Sequence, residues 1–221
     1  MSIHTLCLNI LLILFTISPV LLVGIIINFP AMLHKKKDEV FFAKALVYLF
    51  IIEITFIAII NYKILIVNTN INYYWYFIAI IIIPFVVGLE ILISFMLIKL
   101  QGKKVKSICF WSAKHNVTGK VIIYSLFIAI GEEFIFRKVW FDILGNQFRI
   151  NIFVVLIISS IVYGLNHLFM GNKIIIQKIM SGTIYGMLYF LSGSIIIPII
   201  THCLQNFLVL KRGEKVWSIV I

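Results

Sequence analysis

Apolar runs of about 20 residues recur along nearly the whole chain, and they restrict the fold more than any other feature. That length is what an α-helix needs to cross the hydrocarbon core of a bilayer. In lipid every backbone N–H and C=O must find a partner within the protein, which a helix provides segment by segment. The expected fold is therefore all-α, a polytopic transmembrane helix bundle. The chain is 62% hydrophobic with a mean hydropathy of +1.13, whereas an ordinary soluble domain is apolar in only about half its residues. No long polar stretch is left for a second domain, so residues 1–221 read as one integral membrane unit.

Seven spans fit the pattern. The first runs from about Cys7 to Phe29 and is followed by Pro30 and the charged loop His34 to Glu39. It has no basic segment before it and is too long for a signal-peptide core, so it reads as a retained helix. The second covers Phe41 to Ile60, and the third Phe77 to Ile98 with Pro84 as a kink site. Between them, Asn68, Asn70 and Asn72 lead into Tyr73-Tyr74-Trp75-Tyr76, the composition of an interfacial belt. A basic loop from Lys99 to Lys120 follows, in which Ile108, Phe110 and Trp111 suit an interfacial helix against anionic headgroups. The remaining spans are Val121 to Leu144, Ile150 to Leu168, Ile174 to Leu191 and Ile195 to Leu210.

The net charge of +11 would suggest nucleic acid on a soluble protein. Here the Lys residues sit in loops between apolar runs, which is the positive-inside signature and no sign of a nucleic-acid partner. The loops after spans one, three, five and seven hold most of the cations, which places the amino terminus outside and the carboxyl terminus inside. Cys7, Cys109 and Cys203 are odd in number and scattered, so they form neither a disulfide framework nor a zinc knuckle. Asn116-Val117-Thr118 matches a glycosylation sequon, but it lies in a loop assigned to the inside.

Chemistry concentrates in three of the spans. Glu132 and Glu133 are followed by Arg137, then Tyr163 by His167, then His202 by Asn206. Ionisable groups at membrane depth cost roughly 2.5–3.5 kcal/mol each on insertion scales, so they mark function by default. Glu133 and Arg137 are four apart, on one helix face and in the favoured order for an ion pair. Glu132 is turned about 100° away and is left free to face another helix. A lone Glu–Arg pair would be read as a packing lock; the second carboxylate adds cost without adding a partner. His167 by itself reads as a hydrogen-bonded core histidine, and Asn166 as a packing group. Gly164 permits close helix approach. His202 and Asn206 share a face and could orient an imidazole, bind a metal or present donors to an oxyanion. Glu53 and Glu90 have no partner readable from sequence, Lys44 and Lys178 can snorkel, and Lys138 with Asp142 suits a surface pair. There is no HExxH, GxSxG or Walker loop.

Read together, Glu132-Glu133-xxx-Arg137, Tyr163-xxx-His167 and His202-xxx-Asn206 resemble the CPBP family, the CAAX proteases and bacteriocin-processing enzymes also called the Abi family. The family pattern is EExxxR, FxxxH and HxxxN on three membrane helices. Tyr163 stands where Phe is usual, and Lys138 where Gly commonly follows the Arg. The resemblance covers about the last hundred residues. It implies a catalytic core over residues 121–210, with 1–100 as accessory helices. It also implies a membrane-embedded endopeptidase, multi-pass in a bacterial cell membrane, with its site open to the cytosolic side. Glu132 would activate water as general base with His167, while His202 and Asn206 stabilise the oxyanion and Glu133 with Arg137 supports the base helix. Zinc on Glu132, His167 and His202 is left open, because these residue types serve with or without metal. The substrate would be a membrane-associated peptide or protein, in bacteriocin maturation, self-immunity or peptide signalling. The alternative from another class is a non-catalytic membrane immunity or regulatory protein on the same scaffold. A transporter is disfavoured by the absence of repeats and of broken helices.

Overall fold

The computed structural model describes residues 2–28, 39–102 and 118–212. The basic segments Lys35 to Lys37 and Lys103 to Lys114, the expected interfacial helix, Cys109 and most of the sequon lie outside the described residues. Among those described there is no β-strand. Eight α-helices follow one another: α1 (Ile3–Phe15), α2 (Pro19–Asn28), α3 (Glu39–Asn61), α4 (Tyr74–Leu100), α5 (Gly119–Glu133), α6 (Ile152–Leu165), α7 (Asn172–Ser192) and α8 (Ile196–Arg212). By length and composition α3, α4 and α7 can each cross a membrane.

Two expected spans differ from what is found. The first is not one helix but two, because the chain breaks at Thr16 to Ser18. Pro19 has no N–H to continue the ladder and suits a helix start. Thr16 Oγ1 turns back onto Leu12 O at 2.7 Å, and Ser18 Oγ donates to Asn166 Oδ1 at 3.0 Å. Asn166 in turn donates to Ile17 O at 3.1 Å, so its side chain fills the break. The second difference is in the fourth span. After Glu133 the α5 ladder widens into π-helical turns, Phe134–Val139 and Phe141–Gln147. Such turns concentrate at functional sites, since they redirect side chains that an α-helix would place elsewhere. The other helices begin and end on local signals: Ser2 Oγ caps α1 through Thr5 N at 3.2 Å, and Asn151 caps α6 through Phe153 N at 2.9 Å.

The packing is inverted relative to a soluble protein. Glu53, Glu133 and Arg137 are completely buried, while Ile59, Ile81 and Phe153 are among the most exposed side chains. An apolar exterior around a charged interior is stable only in lipid, where Leu and Ile lose nothing by facing outward. The apolar helices and this distribution make the chain a membrane protein. Helix α5 lies at the centre, against α3 on one side and α8 on the other, with α6 against α7 and α4 bracing α7 and α8. Phe50, Phe136, Trp140 and Tyr163 belong to one apolar cluster across these helices. Trp140 Nε1 donates to Thr16 Oγ1 at 3.0 Å, tying the α1–α2 break to the π-helical segment.

Candidate active site

The three sequence constellations converge at the end of α5. Glu132 and Glu133 close that helix and are both buried, and Arg137 sits on the first π-helical turn. Glu133 Oε2 stands 3.2 Å from Arg137 Nε, an ion pair that lacks hydrogen-bond alignment. Arg137 is held from three other directions. Its Nη2 donates to Gly182 O at 3.0 Å, and its guanidinium lies 4.5 Å from the Tyr163 ring and 5.6 Å from the Tyr185 ring. Aromatic faces attract a desolvated cation, which compensates for Nη1 having no hydrogen-bond partner among the described residues.

Glu133 has a second task that its spacing did not reveal. Its Oε1 lies 2.9 Å from His202 Nδ1, so the carboxylate is shared between a guanidinium and an imidazole. Because the carboxylate accepts, His202 carries a proton on Nδ1. Tyr185 stacks on the same ring, with centroids 4.7 Å apart and planes at 23°, and its hydroxyl donates to Gln205 Oε1. The charge on Arg137 thus reaches His202 through one buried carboxylate.

Glu132 faces the two histidines. Its Oε1 is 3.9 Å from His167 Nε2, and its Oε2 is 3.8 Å from His202 Nε2. These gaps exceed a direct hydrogen bond. His167 Nδ1 lies 3.0 Å from Tyr163 O, an acceptor, so Nδ1 bears the proton and Nε2 offers a lone pair toward Glu132. A carboxylate oxygen and an imidazole lone pair facing one gap form a double acceptor, which suits a water molecule with its two O–H donors. Asn206 lies one helical turn beyond His202 on α8, half-buried, and its side chain makes no hydrogen bond among the described residues. Thr201 Oγ1, bonded to Ala79 O at 3.2 Å, fixes that stretch of α8 against α4.

The donors do not form a metal cage as placed. Among the described residues no group of three or more His, Cys, Asp or Glu is arranged to hold a metal ion. Tetrahedral zinc with bonds of about 2.0–2.2 Å sets neighbouring donor atoms roughly 3.3–3.5 Å apart. The Glu132–imidazole separations of 3.8 and 3.9 Å are wider than that.

Sequence reasoning misplaced several polar groups. Lys178 does not snorkel; its Nζ meets Glu90 Oε1 at 3.4 Å, giving Glu90 the partner it lacked. Gln177 supports the same junction, donating to Glu90 O at 2.6 Å and Ser94 Oγ at 2.7 Å. Lys178 also lies within Coulombic range of Glu132, His167 and His202. Lys138 and Asp142 do not pair. Asp142 accepts from Asn146 and Gln147 at 3.1 and 2.8 Å. Lys138 lines a cavity of about 410 Å³ with Asn68, Thr69, Asn70 and Tyr189, away from Glu132 and both histidines. Glu53 remains buried with no hydrogen-bond partner among the described residues. No sequence signal could pair residues 88 positions apart, as Glu90 and Lys178 are.

Residues 114–208, which contain every member of this cluster, match the family model of the type II CAAX prenyl endopeptidase Rce1-like proteins. This segment is therefore similar to the CAAX protease family. The family implies a protease, and therefore a hydrolase. Neither the curated proteins nor the solved structures contain a match to the chain.

Proposed function

We propose that this protein is an intramembrane endopeptidase that hydrolyses a peptide bond in a membrane-associated peptide or protein. The observation that carries the reading is Glu132, buried and set 3.8 and 3.9 Å from the Nε2 atoms of His202 and His167. A water in that gap gives one proton to Glu132 while its oxygen bonds to the substrate carbonyl carbon. The carbonyl π electrons move onto oxygen, forming the tetrahedral oxyanion. His202, entering the cycle already protonated at Nε2 from solvent and balanced by Glu133, donates Nε2–H to that charge, and Asn206 donates its side-chain N–H. Collapse breaks the C–N bond, and Glu132 passes its proton to the leaving amine. His167 holds the water through its Nε2 lone pair. Arg137 and Glu133 fix the helix end that carries the base.

The steps are written on the protein's own groups, with Glu132, His167 and His202 the residues that would hold a zinc ion if one were bound. The substrate class suggested by the fold family is a carboxyl-terminal or leader-bearing peptide at the membrane surface, with bacteriocin maturation, self-immunity or peptide signalling as roles. The competing reading, a non-catalytic immunity or regulatory protein, would not need Glu132 as a base.

The decisive test is a peptidase assay on full-length protein in proteoliposomes, with a quenched-fluorescent peptide library as probe. Glu132→Gln is expected to cut turnover by about 10²–10⁴, the scale of general-base catalysis, with an unchanged melting temperature. Wild-type biological activity retained in Glu132→Gln would sink the enzymatic reading and favour the scaffold. Metal content belongs to the same experiment. Protein stripped of metal is expected to keep full activity, whereas about one zinc per chain together with loss on chelation would replace the metal-free mechanism.

A further inference from the structure

Tyr163 occupies the position where the family pattern carries Phe, so this chain adds one hydroxyl to its reaction centre. The structure shows where that hydroxyl goes. Tyr163 is completely buried on α6, and its oxygen lies 3.5 Å from His202 Nε2. The same Nε2 is the atom that stands 3.8 Å from Glu132 Oε2. The ring beneath the hydroxyl is wedged in place from several sides: Arg137 lies over it, Phe136 meets it edge-on at 5.7 Å, and His167 does so at 5.1 Å. Gly182 admits it, since a Cβ at that position would come within 2.7 Å of Tyr163 Cδ1. The hydroxyl is therefore delivered to one spot and has little freedom to leave it.

We propose that Tyr163 is a positioning residue that holds the Nε2 edge of His202 beside Glu132 through the whole reaction cycle. This rests on the peptidase reading given above. His202 is held at Nδ1 by Glu133 and across its face by Tyr185, and the Tyr163 hydroxyl is the group that reaches its Nε2 edge. A hydroxyl is suited to that atom because it both donates and accepts. With His202 neutral, the Tyr163 O–H donates to the Nε2 lone pair. With His202 as imidazolium, Nε2–H is shared between the Tyr163 oxygen and the oxyanion. The restraint therefore survives the gain and loss of a proton, which a carbonyl or an amide N–H could not manage. A separation of 3.5 Å is long for this bond, and catalytic contacts tighten once substrate is bound.

The test is Tyr163→Phe in the full chain, reconstituted in proteoliposomes and assayed with the library peptide that the wild type cleaves fastest. The ring, and with it the contact to Arg137, is retained, so the melting temperature should match the wild type. The expected result is a kcat lowered about tenfold with KM within about twofold, the scale of one hydrogen bond of ~1.4 kcal/mol. In parallel, ¹⁵N spectra of histidine-labelled protein should show the His202 Nε2 resonance moving in Tyr163→Phe while Nδ1 stays. A wild-type kcat in the variant overturns the proposal, as does a lowered kcat with an unmoved Nε2 resonance. If the wild type cleaves no peptide, the peptidase reading fails; the imidazole resonance still decides whether Tyr163 holds His202.

Discussion

Glu133 is the residue whose meaning changed most between sequence and structure. Its spacing to Arg137 marks an ion pair, and the pair exists, yet the same carboxylate also holds His202 Nδ1. Losses at this position should therefore be mixed in kind. Glu133→Gln leaves Arg137 as a buried charge without its counter-ion, which typically costs about 3–5 kcal/mol, and it also loosens the imidazole. Arg137→Leu strands the carboxylate in the same way. The double variant Glu133→Gln/Arg137→Leu should regain melting temperature relative to either single one, because no unpaired charge remains. It should not regain turnover, because a glutamine amide oxygen can accept from His202 Nδ1 but carries no charge to balance an imidazolium. Melting temperature in detergent beside peptidase rate for the three variants checks this. A double variant as unstable as the singles would mean that the ion pair does not govern stability here.

At the scale of elements, the site depends on how closely α6 and α7 approach. Gly164 sits on α6 where a Cβ would meet the side chain of Ile179 and come within 2.9 Å of Ile175 O. A methyl group there must push α7 outward, since backbone cannot give way as a flexible side chain can. α6 carries Tyr163, and α7 carries the Gly182 carbonyl that holds Arg137. Gly164→Ala should thus lower the melting temperature by the cost of overpacking, about 1–3 kcal/mol, and reduce turnover without touching a catalytic group. Turnover equal to the wild type in a destabilised Gly164→Ala protein would show that the site tolerates displacement of α7. The π-helical turns after Glu133 belong to the same scale. They set Arg137 beneath Tyr163 and Tyr185 while leaving Glu132 turned toward the histidines.

For the molecule as a whole, the testable property is its direction across the bilayer. From lysine placement, the expectation is that the Lys99–Lys120 loop is cytosolic and the Asn68–Trp75 loop external. The structure adds that the Asn68 loop is bound to the α7–α8 turn, through Asn68 Nδ2 to Gly193 O at 3.3 Å and Ser194 Oγ to Asn68 O at 2.6 Å. These two connections must therefore lie on one side of the membrane. Single cysteines introduced at Asn70 and at Lys120, in a chain cleared of its own three, should label from opposite faces of sealed vesicles. A cysteine in place of Ser192 should label from the same face as Asn70. Labelling of Asn70 and Lys120 from one face would break the assigned topology.

Helix type and the membrane setting were legible in the sequence, because both follow from local composition: a run of apolar residues must bury its backbone bonds in a helix whatever its neighbours do. The spacing shows which candidate residues share a helix face, since Glu133 and Arg137, or His202 and Asn206, do so by helical geometry alone. Three features were decided only by tertiary structure. The break at Thr16 to Ser18 depends on Asn166, the Glu90–Lys178 pair joins α4 to α7, and the sharing of Glu133 between Arg137 and His202 joins α5 to α8. Each involves partners about 70 residues or more apart in the chain. Apolar packing brings them together from helices that carry no local mark of one another, and the cost of leaving a polar group unpaired in a dry interior then selects the partner.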